Sequence, residues 1–234
     1  MEITGPFNGF FKETLSFFRK LKRNNTKDWF DRHREEYDRF VLVPAKAFVV
    51  AIGERFKEEG VEVRAEPKIN RSIFRIYRDT RFSPDKTPYK THLGLYFWEG
   101  TLPRMESSGF YIQVEPAKIL LGAGIYMFSP KQLARFRRAV VDPEWGQELA
   151  DIQKKVSRRK DFKFGEKHYK RIPSGFDRDH PNAQFLLYNG LHVWEETAIP
   201  EEFYSAKFVS YCWKKFKPFI PLHDWLFGIS AGKF

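Results

Sequence analysis

The most charge-dense stretch of the chain reads Arg75-Ile-Tyr-Arg78-Asp79-Thr-Arg81-Phe-Ser-Pro-Asp85-Lys86-Thr-Pro-Tyr89-Lys90-Thr-His92. Planar guanidinium forks match phosphate and carboxylate oxygens, and a lysine adds a compact point charge. Arg75, Arg78, Arg81, Lys86 and Lys90 are therefore the candidate anion-binding residues, with Arg171 as a further candidate from later in the chain. If the site is catalytic, Asp79 or Asp85 is the candidate acid/base and Lys86 an electrostatic stabiliser. The same two carboxylates also suit a scaffold, in which they pair with the loop's own cations. A connection of about a dozen residues exceeds the usual hairpin loop, and long loops are commonly functional or disordered. Order is expected here, because Ser83-Pro84-Asp85 and Thr87-Pro88 fix turns and Asp79 suits an Asx-turn.

A second basic region, Lys154–Arg171, sets nine Lys/Arg against Asp161 and Glu166, with Phe162, Phe164 and Tyr169 interleaved. Cations with aromatics suit a nucleic-acid backbone and its bases, whereas the plainer reading is a solvated loop whose rings tuck into the core. Other motifs fail on context. Gly228-Ile-Ser230-Ala-Gly232 has the G-x-S-x-G spacing, but only Lys233 and Phe234 follow, so no later acid and His complete a triad and the segment reads as a tail. Gly122-Ala-Gly124 lacks a third glycine and a phosphate loop opening a helix. The six histidines show no metal-ligand spacing and Cys212 is alone, so neither a metal nor a cofactor is expected. Asp177-Arg-Asp179-His180 reads as a turn capping a helix at Pro181.

The formal net charge of +11 favours polyanionic partners. With 25 Phe, the core is expected to be large and aromatic. No apolar run reaches a membrane-spanning length of roughly 20 residues, the opening residues do not read as a signal peptide, and a single cysteine suits a reducing compartment. The expectation is a cytoplasmic protein without a membrane partner.

Helical spacing appears over 8–23, with Phe7, Phe11, Leu15, Phe18 and Leu21 on one face. A second helix capped by Asn25 or Thr26 runs toward Gly60, kinked or split at Pro44. Strand signals occupy 69–78, 93–98, 110–115 and 119–126, a four-stranded antiparallel meander, with another strand near 191–194. Gly122 and Gly124 imply a bulge or a close approach. Ser129-Pro130 and Asp142-Pro143 each start a helix; residues 157–180 read as a loop, and Pro200 opens a long terminal helix. The expected fold is α+β: an antiparallel sheet of about four to five strands packed against several helices, in one domain over 1–234.

Residues 78–90, Arg-Asp-Thr-Arg-Phe-Ser-Pro-Asp-Lys-Thr-Pro-Tyr-Lys, resemble the signature of the family called domain of unknown function 2461. Phe10–Leu21 with Asn24-Asn25-Thr-Lys-Asp-Trp29-Phe30, Gly109-Phe-Tyr111, the Gly122/Gly124 strand and Arg171-Ile-Pro173-Ser-Gly175-Phe-Asp-Arg-Asp-His180-Pro181 agree with it. Ser174 stands where the resemblance implies a lysine. The resemblance covers nearly the whole chain and implies a single domain, without an activity or cofactor. The leading expectation is a site for an anionic, phosphorylated small molecule or nucleotide in the 75–92 loop. The alternatives are nucleic-acid binding through 154–171, or a protein-interaction module without a ligand.

Overall fold

A computed structural model describes residues 5–234; most of the opening segment on which the leader expectation rests lies outside them. The fold is α+β. Six strands, β1 (Val63–Arg64), β2 (Leu93–Glu99), β3 (Gly109–Val114), β4 (Lys118–Ile125), β5 (Phe162–Phe164) and β6 (Leu191–Ala198), form an antiparallel sheet in the order β1-β2-β3-β4-β6-β5. The described residues fall into two compact units. The first comprises the described residues up to Phe97, Tyr111–Leu121 and Glu196–Lys215, and the second Trp98–Phe110, Gly122–Glu195 and Phe216–Phe234.

In the first unit, α1 (Lys12–Arg23) begins four residues later than its apolar spacing suggests. Phe11 is the N-cap, and Thr14 Oγ1 accepts from its backbone N–H at 3.3 Å. Thr26 caps α2 (Lys27–Arg32) by accepting from Trp29 N. A short helix α3 (Arg34–Tyr37) leads into a π-helical turn, Asp38–Leu42, and then α4 (Val43–Glu58). Pro44 explains the break. It offers no N–H to the carbonyl of Phe40, and the buried Thr14 hydroxyl donates to that carbonyl instead, at 2.5 Å. Around these helices Phe10 stacks on Phe203 with centroids 4.9 Å apart, and Phe56 meets Trp213 edge-on.

Two expectations in this unit are corrected. Residues 69–78 do not form a strand; they make only isolated bridges, Ile69 to Ile73, Ile73 to Leu95 and Tyr77 to Tyr89. Asn70, at φ 64°, turns the chain, and Ser72 Oγ accepts from Glu66 N at 2.9 Å, so no continuous ladder forms. The expected terminal helix starting at Pro200 is instead a 3-10 turn (Glu201–Tyr204) followed by α7 (Lys207–Phe216).

In the second unit, α5 (Pro130–Val141) and α6 (Pro143–Ser157) start at the expected Ser-Pro and Asp-Pro signals. Asp142 Oδ1 accepts from Glu144 N and Trp145 N, both at 3.0 Å. The stretch expected as a loop contains β5, which pairs with β6 from Phe162 against Glu195 to Phe164 against Val193. The final segment is α8 (Ile220–Ala231), entered through a 3-10 turn at Lys217–Phe219. Pro218 and Pro221 cannot donate backbone hydrogen bonds, which explains why the long terminal helix is divided. The G-x-S-x-G segment is therefore the end of a helix rather than a tail, closed by Gly232 in the left-handed conformation at φ 76°. Ser230 is buried, and its Oγ accepts from Gln132 Nε2 at 3.2 Å. Gly122 is required by its neighbour strand: a Cβ there would lie 2.7 Å from the Val193 carbonyl oxygen.

The 75–92 loop is closed at its base in the first unit. Arg78 N donates to Pro88 O and Lys90 N to Ile76 O, flanking the Tyr77–Tyr89 bridge. Asn25 then grips Tyr89 from the other side: its Nδ2 donates to Tyr89 O at 2.9 Å and its Oδ1 accepts from Tyr89 N at 3.0 Å. Tyr89 is buried and stacked on Phe30, centroids 4.3 Å apart. Asn25→Ala strands both backbone groups of a buried residue. The expected loss is about 2 kcal/mol of unfolding free energy in urea denaturation, whereas Asn24→Ala, at an exposed helix end, leaves the unfolding free energy within about 0.5 kcal/mol.

Candidate functional site

Within the loop the arginines and aspartates pair by position. Arg78 Nη1 donates to Asp85 Oδ2 at 2.5 Å, to Thr87 O at 3.2 Å and to Thr87 Oγ1, while its Nη2 reaches Ser83 Oγ at 3.4 Å. This guanidinium is turned inward and ties the loop's descending side to its returning side. Arg81 and Asp79 form a bidentate pair, Nε to Oδ1 at 3.0 Å and Nη2 to Oδ2 at 2.7 Å. That pair faces water, the Arg81 side chain being 76% exposed and Asp79 45%. Asp79 also makes the Asx-turn, accepting from Arg81 N, and Asp85 does the same for Thr87 N at 2.9 Å.

The two lysines bond carbonyls: Lys86 Nζ donates to Thr80 O at 2.9 Å and Lys90 Nζ to Arg75 O at 3.0 Å. A carbonyl fixes an ammonium without cancelling its charge. Arg75 is exposed on the same loop. Five cationic side chains against two carboxylates leave the segment with an excess of three positive charges. Hydrogen bonds from Arg81 hold the Asp79 carboxyl down to about 2. Hydrogen bonds from Thr87 N, then from Arg78 and the Thr87 hydroxyl, hold Asp85 down to about 2 as well. The loop's apolar tip, Phe82, is 93% exposed with the Arg81 guanidinium over its ring at 5.7 Å, and Tyr77 is 45% exposed.

Beside the loop's return, β3 carries a polar row. Tyr111 OH donates to Gln113 Oε1 at 2.8 Å, and Gln113 Nε2 donates to Glu115 Oε1 at 2.7 Å. Burial, reinforced by Glu115, pushes the Tyr111 phenol up, and burial together with Lys90 pushes the His92 imidazole down. The alternation of Tyr111, Gln113 and Glu115 shows this row in the sequence, but not that it lines up beside His92.

The remaining candidates lie in the second unit. Arg171 is exposed. In the 154–171 region the rings are half-buried and engaged: Phe162 meets Phe219 at 4.8 Å with Arg159 over its ring, and Tyr169 lies under Arg137. His180 Nδ1 accepts from Asn182 N at the 3-10 turn Ala183–Leu187, and Asp177 Oδ1 accepts from Asp179 N.

One constellation escaped sequence reasoning entirely. His223 is fully buried; its Nε2 lies 2.9 Å from Glu99 Oε2 and its Nδ1 3.0 Å from Ser108 Oγ. Carboxylate, imidazole and hydroxyl are thus in the order of a nucleophile relay. Ser108, however, is as buried as the ring, so no substrate reaches the hydroxyl in this conformation and the group satisfies polar atoms inside the core.

Two measurements test these assignments. Both loop carboxyls sit below the ordinary 3.8, so their contribution to loop order is present above that value and is lost as pH falls through about 2. Carboxyl NMR titration is expected to place both midpoints near 2; midpoints near 3.8 contradict the pairing. Ser108→Ala leaves His223 Nδ1 without its partner, with an expected cost of about 1–3 kcal/mol in urea denaturation.

No curated protein matches the chain. The family model described as "Conserved hypothetical protein (DUF2461)" matches residues 13–225. That span takes in the paired 78–90 loop, the Asn25 clamp and the glycine strand, and the chain belongs to the DUF2461 family.

Proposed function

We propose that the protein binds a phosphate-bearing anion on the 75–92 loop. The observation that carries this reading is the surplus of charge on a frame already held in place: Asp79 and Asp85 offset two of five cations, and the lysines are anchored through carbonyls. A preorganised cationic loop binds an anion without the entropy cost of ordering long side chains first. Arg81 is the residue best placed to exchange partners. It is the most exposed of the paired cations, and rotation of its fork from Asp79 to a phosphate keeps two charge-assisted bonds. Arg78, held inward by four acceptors, supports the frame.

The geometry favours binding over proton transfer. Carboxyls held near 2 are weak bases at neutral pH, which suits Asp79 and Asp85 to orienting arginines. The partner expected from this reading is a phosphorylated small molecule or nucleotide.

Isothermal titration with inorganic pyrophosphate tests it. The wild-type protein is expected to bind, and Arg81→Ala to bind about tenfold more weakly, the loss of roughly 1.4 kcal/mol of charge-assisted bonding. Because Arg81 is exposed, circular dichroism and thermal midpoint should be unchanged. Absence of binding by the wild-type protein, or equal binding by Arg81→Ala, overturns the proposal.

A further inference from the structure

Among the described residues, Phe82 is the most exposed of the large apolar side chains, at 93%. Burial drives aromatic rings inward, yet this one stands at the tip of a loop whose Asx-turns, arginine pairs and clamped base hold it there. Its immediate neighbours are Arg81 and Ser83, and Arg81's guanidinium already lies over the ring. Tyr77, on the same loop, is also substantially exposed.

An exposed ring beside Arg81 on a loop with surplus positive charge is poorly suited to an apolar partner. A protein interface anchor sits at the centre of a patch whose surrounding contacts exclude water, and a membrane-inserting segment presents a broad apolar face. An exposed ring on a cationic loop is what a single nucleic-acid strand requires: a base stacks on the aromatic face while phosphates meet the positive charges. The 154–171 region has more cations, but its rings Phe162, Phe164 and Tyr169 are half-buried, whereas Phe82 stands almost fully in water. Resting on the reading of this loop as a phosphate-binding site, we propose that its ligand is single-stranded nucleic acid, with one base stacked on Phe82 and the flanking phosphates bound by Arg81 and Lys86.

Fluorescence anisotropy with a labelled oligothymidylate, an abasic oligomer of equal length, and anionic phosphatidylserine vesicles tests the proposal. The oligothymidylate is expected to bind more tightly than the abasic strand. Phe82→Ala is expected to weaken oligothymidylate binding about tenfold, within the range for loss of one base stack, while Phe82→Trp preserves it and Phe82→Leu does not. Two phosphates neutralised by Arg81 and Lys86 predict a log–log salt slope of about −1.4. Phe82→Ala is expected to weaken pyrophosphate binding far less than oligothymidylate binding, because the ring meets the Arg81 guanidinium but not the phosphate. Equal affinity for the abasic strand, no effect of Phe82→Ala, or Phe82-dependent binding to vesicles with no binding to the oligomer overturns the stacking proposal. If pyrophosphate still binds in those cases, the anion site stands without it; if pyrophosphate does not bind either, both fall.

Discussion

Everything assigned to the 75–92 loop depends on the clamp between Asn25 and the backbone of Tyr89. A primary amide offers one donor and one acceptor side by side, the pattern of a neighbouring strand, and Asn25 presents both to one residue. Tyr89 is also where the loop meets the core, stacked on Phe30. Residues 69–78 make only isolated bridges, so no continuous ladder takes over this role. With its base closed, the loop needs to organise only its own interior, which Arg78 does through Asp85 and the Thr87 carbonyl.

The way charge is used inside the loop separates frame from surface. Asp85 meets an arginine turned inward, whereas Asp79 meets one that faces water. Exposed ion pairs contribute little to stability, so the Arg81–Asp79 pair is cheap to open. The frame therefore survives a change of partner at Arg81, and that separation is what makes a binding role chemically reasonable. The same logic sets aside the Ser108–His223–Glu99 group, in which the order of atoms suggests a relay but burial leaves the hydroxyl facing only protein.

Local signals were legible where the determining residues are neighbours in sequence. Thr26, Ser129-Pro130 and Asp142-Pro143 start helices as their capping chemistry requires, Pro44 marks the break before α4, and the alternation over β2 and β3 marks strands. The Arg/Asp/Lys composition of the loop likewise identified the segment worth examining. Long-range partners were not legible. Thr14 repairs the helix at Phe40, Asn25 grips a residue 64 positions away, and His223 meets Glu99 across 124 positions; no spacing rule connects them. Asn70 in the left-handed region, a conformation asparagine tolerates, was the available warning against a strand at 69–78. The three-residue β5 is too short to carry a period.

Amide chemical-shift mapping of the intact protein with inorganic pyrophosphate tests the central claim most directly. The account predicts shifts that saturate and cluster at Arg75–Lys90, largest around Arg81 and Lys86, while the Asn25 side-chain amide, which holds the frame, moves little. Saturating shifts centred elsewhere, or none within that loop, would contradict it.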